Sequence, residues 1–120
     1  MKPEIDSTRF GSITIDGVRY EHDVYLFHDG GIQKRKKKLS KRLYGTSHNI
    51  SADEIEHILT HGGEALLIGT GQYGRVQLSD PAIDILHSKE IQVDLQPTPE
   101  AILTWNEMEG SVTALFHVTC

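Results

Sequence analysis

The sequence has a single cysteine, Cys120, so no disulfide can form within the chain and nothing points to an oxidising compartment. Aromatic residues make up only 7% of it and prolines number 4, with no proline-rich linker or low-complexity segment among them. No apolar run approaches the ~20 residues needed to cross a bilayer. The polar start, Met1 to Arg9 with Glu4 and Asp6, resembles neither a signal peptide nor an Arg-rich transit peptide. These absences predict a cytoplasmic protein without membrane association. No G-x-S-x-G elbow occurs, and the histidines are not spaced as metal ligands. His57 and His61 stand four apart on a predicted helix, but Ile58 occupies the position where a zincin has Glu, and both imidazoles are expected to face solvent. His117 and Cys120 lie three apart in a predicted strand, on opposite faces. The sequence therefore predicts no metal, no cofactor and no catalytic residue, and it leaves enzymatic activity open.

What remains is an ordinary globular composition: 120 residues, 38% hydrophobic and 24% charged, enough for one domain over residues 1–120 with one core. Its first third reads as antiparallel β. Ser12 to Ile15 and Val18 to Glu21 flank the turn dipeptide Asp16-Gly17, and Asp23 to His28 is followed by Asp29-Gly30 and a returning strand over Gly31 to Lys38. Leu39 to Asn49 reads as a loop. Beyond it, helix and strand alternate. Ser51 and Glu54 form a capping box ahead of a helix to about Thr60, and Ala65 to Ile68 is the unbroken apolar run of a central strand. Asp80-Pro81 opens a second helix, Ile91 to Leu95 is a strand, Thr98-Pro99 opens a third helix, and Val112 to Val118 is the last strand. This order predicts an α/β fold of three layers: a mixed central sheet, flanking helices and an added antiparallel β-hairpin layer from the N-terminal third.

Two features carry chemistry. Gly69-Thr70-Gly71-Gln72-Tyr73-Gly74 matches G-x-G-x-x-G directly after a strand, with Asp94 about 20 residues further on. The next helix, however, opens only near Pro81, so a pyrophosphate would lack a helix N-terminus, and the motif reads as a structural turn or a small-anion pocket. Thr70, Gly71, Gln72, Tyr73, Arg75, Thr98, Asn106 and His117 could converge between this loop and Gln96 to Pro99, with His117 as the acid–base group. The second feature is the basic run Lys34, Arg35, Lys36, Lys37 and Lys38. Net charge is −5, yet from Leu43 onward only Arg75 and Lys89 oppose eleven Asp and Glu, so the molecule is electrically polarised. The run lacks interleaved aromatics, which disfavours nucleic acid, and it reads as a solvated edge strand or a surface for an unknown protein partner.

Arg9-Phe10-Gly11 with Ile13, Ile15, Gly17, Tyr20 and Asp23, then Gly69-Thr70-Gly71 with Gly74, Pro97-Thr98-Pro99 with Ala101 and Asn106, and finally His117-Val118-Thr119-Cys120, follow a familiar order. In this the chain resembles the small family that includes the human adipogenesis-associated domain protein and mitochondrial complex I assembly factor 3, a Mth-type domain of unknown function. The resemblance implies the same three-layered fold, no enzyme activity, and a role through protein contacts in assembly or signalling. The sequence departs from the family in the nearly all-Lys return strand. Two functional expectations follow, a non-enzymatic interaction or assembly-type domain, and a binder of a small anionic or polar ligand in the crevice of the Gly69–Arg75 and Gln96–Pro99 loops.

Overall fold

Apolar side chains alternate along the strands so that both faces of one sheet are covered, and the other elements are arranged on those faces. The computed structural model describes residues 2–120. In chain order the elements are β1 (Ile5–Arg9), β2 (Ser12–Ile15), β3 (Val18–Tyr20), β4 (Val24–Leu26), β5 (Ile32–Lys34), α1 (Lys38–Tyr44) and β6 (Asn49–Ile50). There follow α2 (Ala52–Leu59), β7 (Ala65–Thr70), β8 (Gln77–Leu78), α3 (Asp80–Ser88), β9 (Gln92–Gln96), α4 (Thr98–Glu107) and β10 (Val112–His117).

The central sheet has the order β5-β4-β10-β7-β9. β5, β4 and β10 run antiparallel in succession, whereas β10, β7 and β9 are parallel. On one face Val24, Leu26, Leu67, Ala114 and Phe116 pack against Ile5, Ile13 and Ile15 of the β1-β2-β3 sheet and against Ala101, Ile102 and Trp105 of α4. On the other, Tyr25, Leu66, Ile68 and Leu115 meet Ile55 and Ile58 of α2 and Ala82 and Leu86 of α3. The mixed, three-layer α/β architecture is thus the one that the alternation of elements predicts. No helix is long and apolar enough to cross a membrane.

Differences from the sequence reading are local and have physical reasons. Leu39 to Asn49 is not a loop: Lys38–Tyr44 forms a short helix ended by Gly45 at φ 71°, and Ser40 is its one buried residue. With few apolar residues and no side-chain N-cap, the segment has little helical signature of its own. β1 is likewise hidden by its polar residues. It is ordered by pairing with β2 and by two side chains of α4. The Trp105 indole donates to the Pro3 carbonyl at 2.8 Å, while Asn106 accepts from the Ile5 N–H at 2.9 Å and donates to the Ile5 carbonyl at 2.8 Å. The cap of α3 is Ser79 rather than Asp80, its hydroxyl accepting from the Ala82 N–H.

Candidate functional site

The antiparallel strands β4 and β10 bring the residue before one, Asp23, beside the last residue of the other, His117. Because Phe116 pairs with Val24, both side chains lie on the face that carries α2 and α3, with Tyr25 and Leu115. Arg35 follows β5 on the same face. Its guanidinium reaches both ways, Nη1 donating to Asp23 Oδ2 at 3.0 Å, and Nε and Nη2 forking onto Glu54 at 2.7 and 3.0 Å. Glu54 comes from the first turn of α2. It also accepts from the Tyr25 hydroxyl at 2.6 Å and the Ser40 hydroxyl at 2.5 Å. The capping box is therefore only half made: Ser51 Oγ accepts from the Glu54 N–H, but the Ser51 N–H donates to Ser40 Oγ and the Glu54 carboxylate turns inward. Asp23, Arg35, Glu54 and His117 are all buried, and among the described residues no buried side-chain polar atom lacks a partner.

This network sets the charge states. Burial pushes the Asp23 carboxyl up, but the hydrogen bond and charge of His117, the Val118 N–H and the Arg35 charge outweigh it and hold Asp23 at about 2, below its ordinary 3.8. Burial pushes Tyr25 up, and the carboxylate of Glu54 reinforces the shift, so its phenol stays protonated and donates. A depressed carboxyl contributes stability that is present above its unfolded value and lost as pH falls through its folded value. Asp23 is therefore expected to contribute about 2 kcal/mol, lost between pH 3.8 and about 2. Urea unfolding followed across that range should show the loss, and Asp23→Asn should flatten it. An unchanged acid slope in Asp23→Asn would count against the assignment.

Directly over this network lies a cleft of about 590 Å³. One wall is Gly11, Glu21 and His22, the other is Lys34 to Leu39, and Asp23, Val118 and Thr119 form the floor. Lys34, Lys36, Lys37 and Lys38 are exposed, and the Lys37 ammonium stands 3.9 Å from Asp23 Oδ2. Such a cleft is of the size that encloses small molecules, and its cations favour an anion. Buried behind this floor, His117 has Nδ1 2.7 Å from Asp23 Oδ2 and Nε2 3.0 Å from the hydroxyl of Thr119, which is partly exposed. The His48 ring stands edge-on to that of His117, with centroids 5.2 Å apart.

The residues singled out in the sequence separate into two places. Arg35 does not join its lysine neighbours at the surface: it is 4% exposed, because strand alternation turns it toward Asp23 and Glu54. It is thus withdrawn from the surface that Lys34, Lys36, Lys37 and Lys38 present. The second crevice is filled by the chain itself. Thr98 is buried, its hydroxyl accepting from the Gly71 N–H at 2.9 Å and donating to the His117 carbonyl at 2.6 Å. The N–H groups of Gln72 and Arg75 donate to the carbonyls of Thr119 and Cys120 at 2.7 and 3.1 Å. The glycine loop thus cradles the 119–120 segment where a ligand was expected. Thr70 is buried behind it, Gln72 donates to Thr8 Oγ1, and Tyr73 and Arg75 are exposed. Asn106 is at the far end of α4, engaged with Ile5, and takes no part in either place. Of the eight residues named for that crevice, only His117 belongs to the floor network. Of the two helix histidines, His61 is exposed as expected, its ring stacked on Phe27, whereas His57 is partly buried and meets Gln33 at 2.9 Å.

Sequence reasoning named Asp23 and Thr119 only within the family resemblance and Glu54 only in a capping box, and it missed the buried role of Arg35. One signal was available, since Arg35 is the single arginine in a lysine run and its forked guanidinium is the side chain suited to paired carboxylates.

The model of a family described as "Protein of unknown function (DUF498/DUF598)" matches residues 5–117. The structure is similar to that of a conserved hypothetical protein from Pyrococcus horikoshii, at 35% identity and a TM-score of 0.91, over 98% of this chain and 99% of that one. It is also similar to a protein designated MT938, at 33% identity and a TM-score of 0.85, over 99% and 100% of the two chains. A Bordetella pertussis protein described as a Mth938-like domain shares the fold at 16% identity, with a TM-score of 0.63 over 97% of this chain and 85% of that one. No curated protein matches the chain.

Proposed function

Because the chain belongs to the DUF498/DUF598 family of unknown function, its role has to be argued from the site, and we propose that it binds a small anionic molecule in the lysine-lined cleft. The observation that carries this reading is the juxtaposition of Lys34, Lys36, Lys37 and Lys38 along one wall of a 590 Å³ cavity whose floor holds fixed polar groups. A cavity of this volume encloses a metabolite-sized ligand, and a few placed polar groups in mostly apolar walls orient it. Lysine ammonium groups attract phosphate or carboxylate without demanding a single geometry.

Thermal shift against phosphorylated and carboxylated metabolites tests the reading. A ligand present at a hundred times its Kd should stabilise the fold by about 2.7 kcal/mol. The gain should disappear in Lys36→Glu/Lys37→Glu, whose own melting temperature should stay near that of the unsubstituted chain because both residues are exposed. If the same ligands stabilise the double variant equally, the lysine wall is not the site.

An assembly-type role through a protein partner is a second reading, favoured by a different observation. Phe10 and Tyr73 are 59% and 71% exposed, with ring centroids 6.1 Å apart, and exposed aromatics of this kind anchor protein interfaces. Phe10→Ser/Tyr73→Ser would then lose a protein partner that Lys36→Glu/Lys37→Glu retains.

A further inference from the structure

We infer that Thr119, His117 and Asp23 form a hydroxyl–imidazole–carboxylate relay that opens into the cleft at Thr119 and transfers the acyl group of carboxylate-bearing esters or thioesters. The inference rests on the anion-binding reading of the cleft for its substrate class, and on separate geometry for its chemistry. His117 ends β10 and Thr119 follows two residues later. The Thr119 hydroxyl and Nε2 of His117 are 3.0 Å apart, and Nδ1 of His117 is 2.7 Å from Asp23 Oδ2. Asp23 is held in place by two further donors, the Val118 N–H at 2.9 Å and Arg35 Nη1 at 3.0 Å. In the neutral form of His117 with Nδ1–H donating to this carboxylate, Nε2 carries the lone pair and the Thr119 O–H donates to it. The three groups stand in the order that activates a hydroxyl nucleophile, an arrangement defined by geometry and role rather than by sequence position. Burial is graded in the same sense. Asp23 and His117 are each 1% exposed, while Thr119 is partly exposed and lines the cleft.

In the reaction Thr119 Oγ attacks the carbonyl carbon and forms a C–O bond while its proton passes to His117 Nε2. The bond to the leaving alcohol or thiol breaks, and that group takes the proton from His117. Water then attacks the Thr119 ester, gives a proton to His117, and the acid departs as Thr119 recovers that proton. Asp23 stabilises the imidazolium formed in each half, and Lys37, which lines the same cleft as Thr119, supplies positive charge for the oxyanion. The lysines farther along the wall hold the substrate's own carboxylate.

The test uses the full chain, the anionic ester mono-p-nitrophenyl succinate, the neutral ester p-nitrophenyl acetate and an alkyl fluorophosphonate. Peptide mass spectrometry should place the phosphonyl adduct on Thr119. Thr119→Ala should lower kcat/KM for the succinate ester at least about a hundredfold, Thr119→Ser should restore activity, and Thr119→Val, which keeps the shape without the hydroxyl, should not. An adduct on Cys120, hydrolysis by Thr119→Ala within twofold of the unsubstituted chain, or neither adduct nor turnover would overturn the relay. Lys34→Glu/Lys36→Glu should abolish the preference for the succinate ester over the acetate. A Thr119 adduct with no such preference in the unsubstituted chain would leave the relay standing and overturn the anion-binding reading, so the two fail separately.

Discussion

Arg35→Ala is expected to destabilise the fold by about 3–5 kcal/mol, a large part of what a chain of this size has in total. The reason is the pair of carboxylates left behind. Asp23 and Glu54 are buried, and Arg35 is the cation that contacts both, at 3.0 and 2.7 Å. Its side chain also donates to the Ser47 carbonyl at 2.7 Å, tying down the turn after α1. Removing one partner of a buried ionic set exposes the others to the full cost of desolvation, which far exceeds the net value of the intact set. Arg35→Lys should rescue little, because one ammonium cannot reproduce the fork that Nε and Nη2 make on Glu54. Lys36→Ala, at the next position but exposed, should stay within about 0.5 kcal/mol. Urea denaturation of the three variants checks the ordering, and an Arg35→Ala loss below about 1 kcal/mol would mean that the network relaxes or hydrates when broken.

The second large effect is expected at Gly71, where Gly71→Ala should cost about 2–4 kcal/mol. Two causes add. The residue sits at φ 103°, which L side chains rarely adopt, and a Cβ there would lie 2.3 Å from the Cys120 carbonyl carbon and 2.8 Å from His117 Cδ2. Gly11 separates the causes: its φ is 89°, but a Cβ would meet nothing within 4 Å, so Gly11→Ala reports backbone strain alone. The difference between the two variants measures the packing of the 119–120 segment into the glycine loop. Because that segment carries Thr119, Gly71→Ala should also disturb the floor of the cleft, and a displaced His117 imidazole signal in NMR would reveal it. Equal costs at Gly71 and Gly11 would mean that the segment moves aside freely.

Legibility differed between backbone and site. The β2–β3 hairpin was readable because Asp16 and Gly17 both adopt positive φ, 47° and 79°, and that dipeptide tolerates such angles. α2 was readable from Ser51 and from the spacing of Ile55 and Ile58, and β7 from its unbroken apolar run. These signals are local, since each depends on residues within one or two turns of each other. The G-x-G-x-x-G loop reads from the sequence as a structural turn or a small-anion pocket, because a glycine loop makes the same close approach to an anion as to a carbonyl of its own chain. Only the position of the 119–120 segment, beside β7 through the pairing of β10, decides which of the two is there.

By itself the sequence determined the succession of the main strands and helices, β1 and α1 excepted, and the mixed three-layer architecture, since backbone preference and apolar periodicity are short-range properties. What only the tertiary structure decided is which charges are buried and what they face. Arg35 meets Glu54 across 19 residues because α2 packs on the sheet, and Asp23 meets His117 across 94 because β4 and β10 are neighbours. A lysine run and an arginine within it look alike along the chain. Strand alternation and strand order turn the arginine inward onto two carboxylates and leave the lysines outside, around the cleft above them.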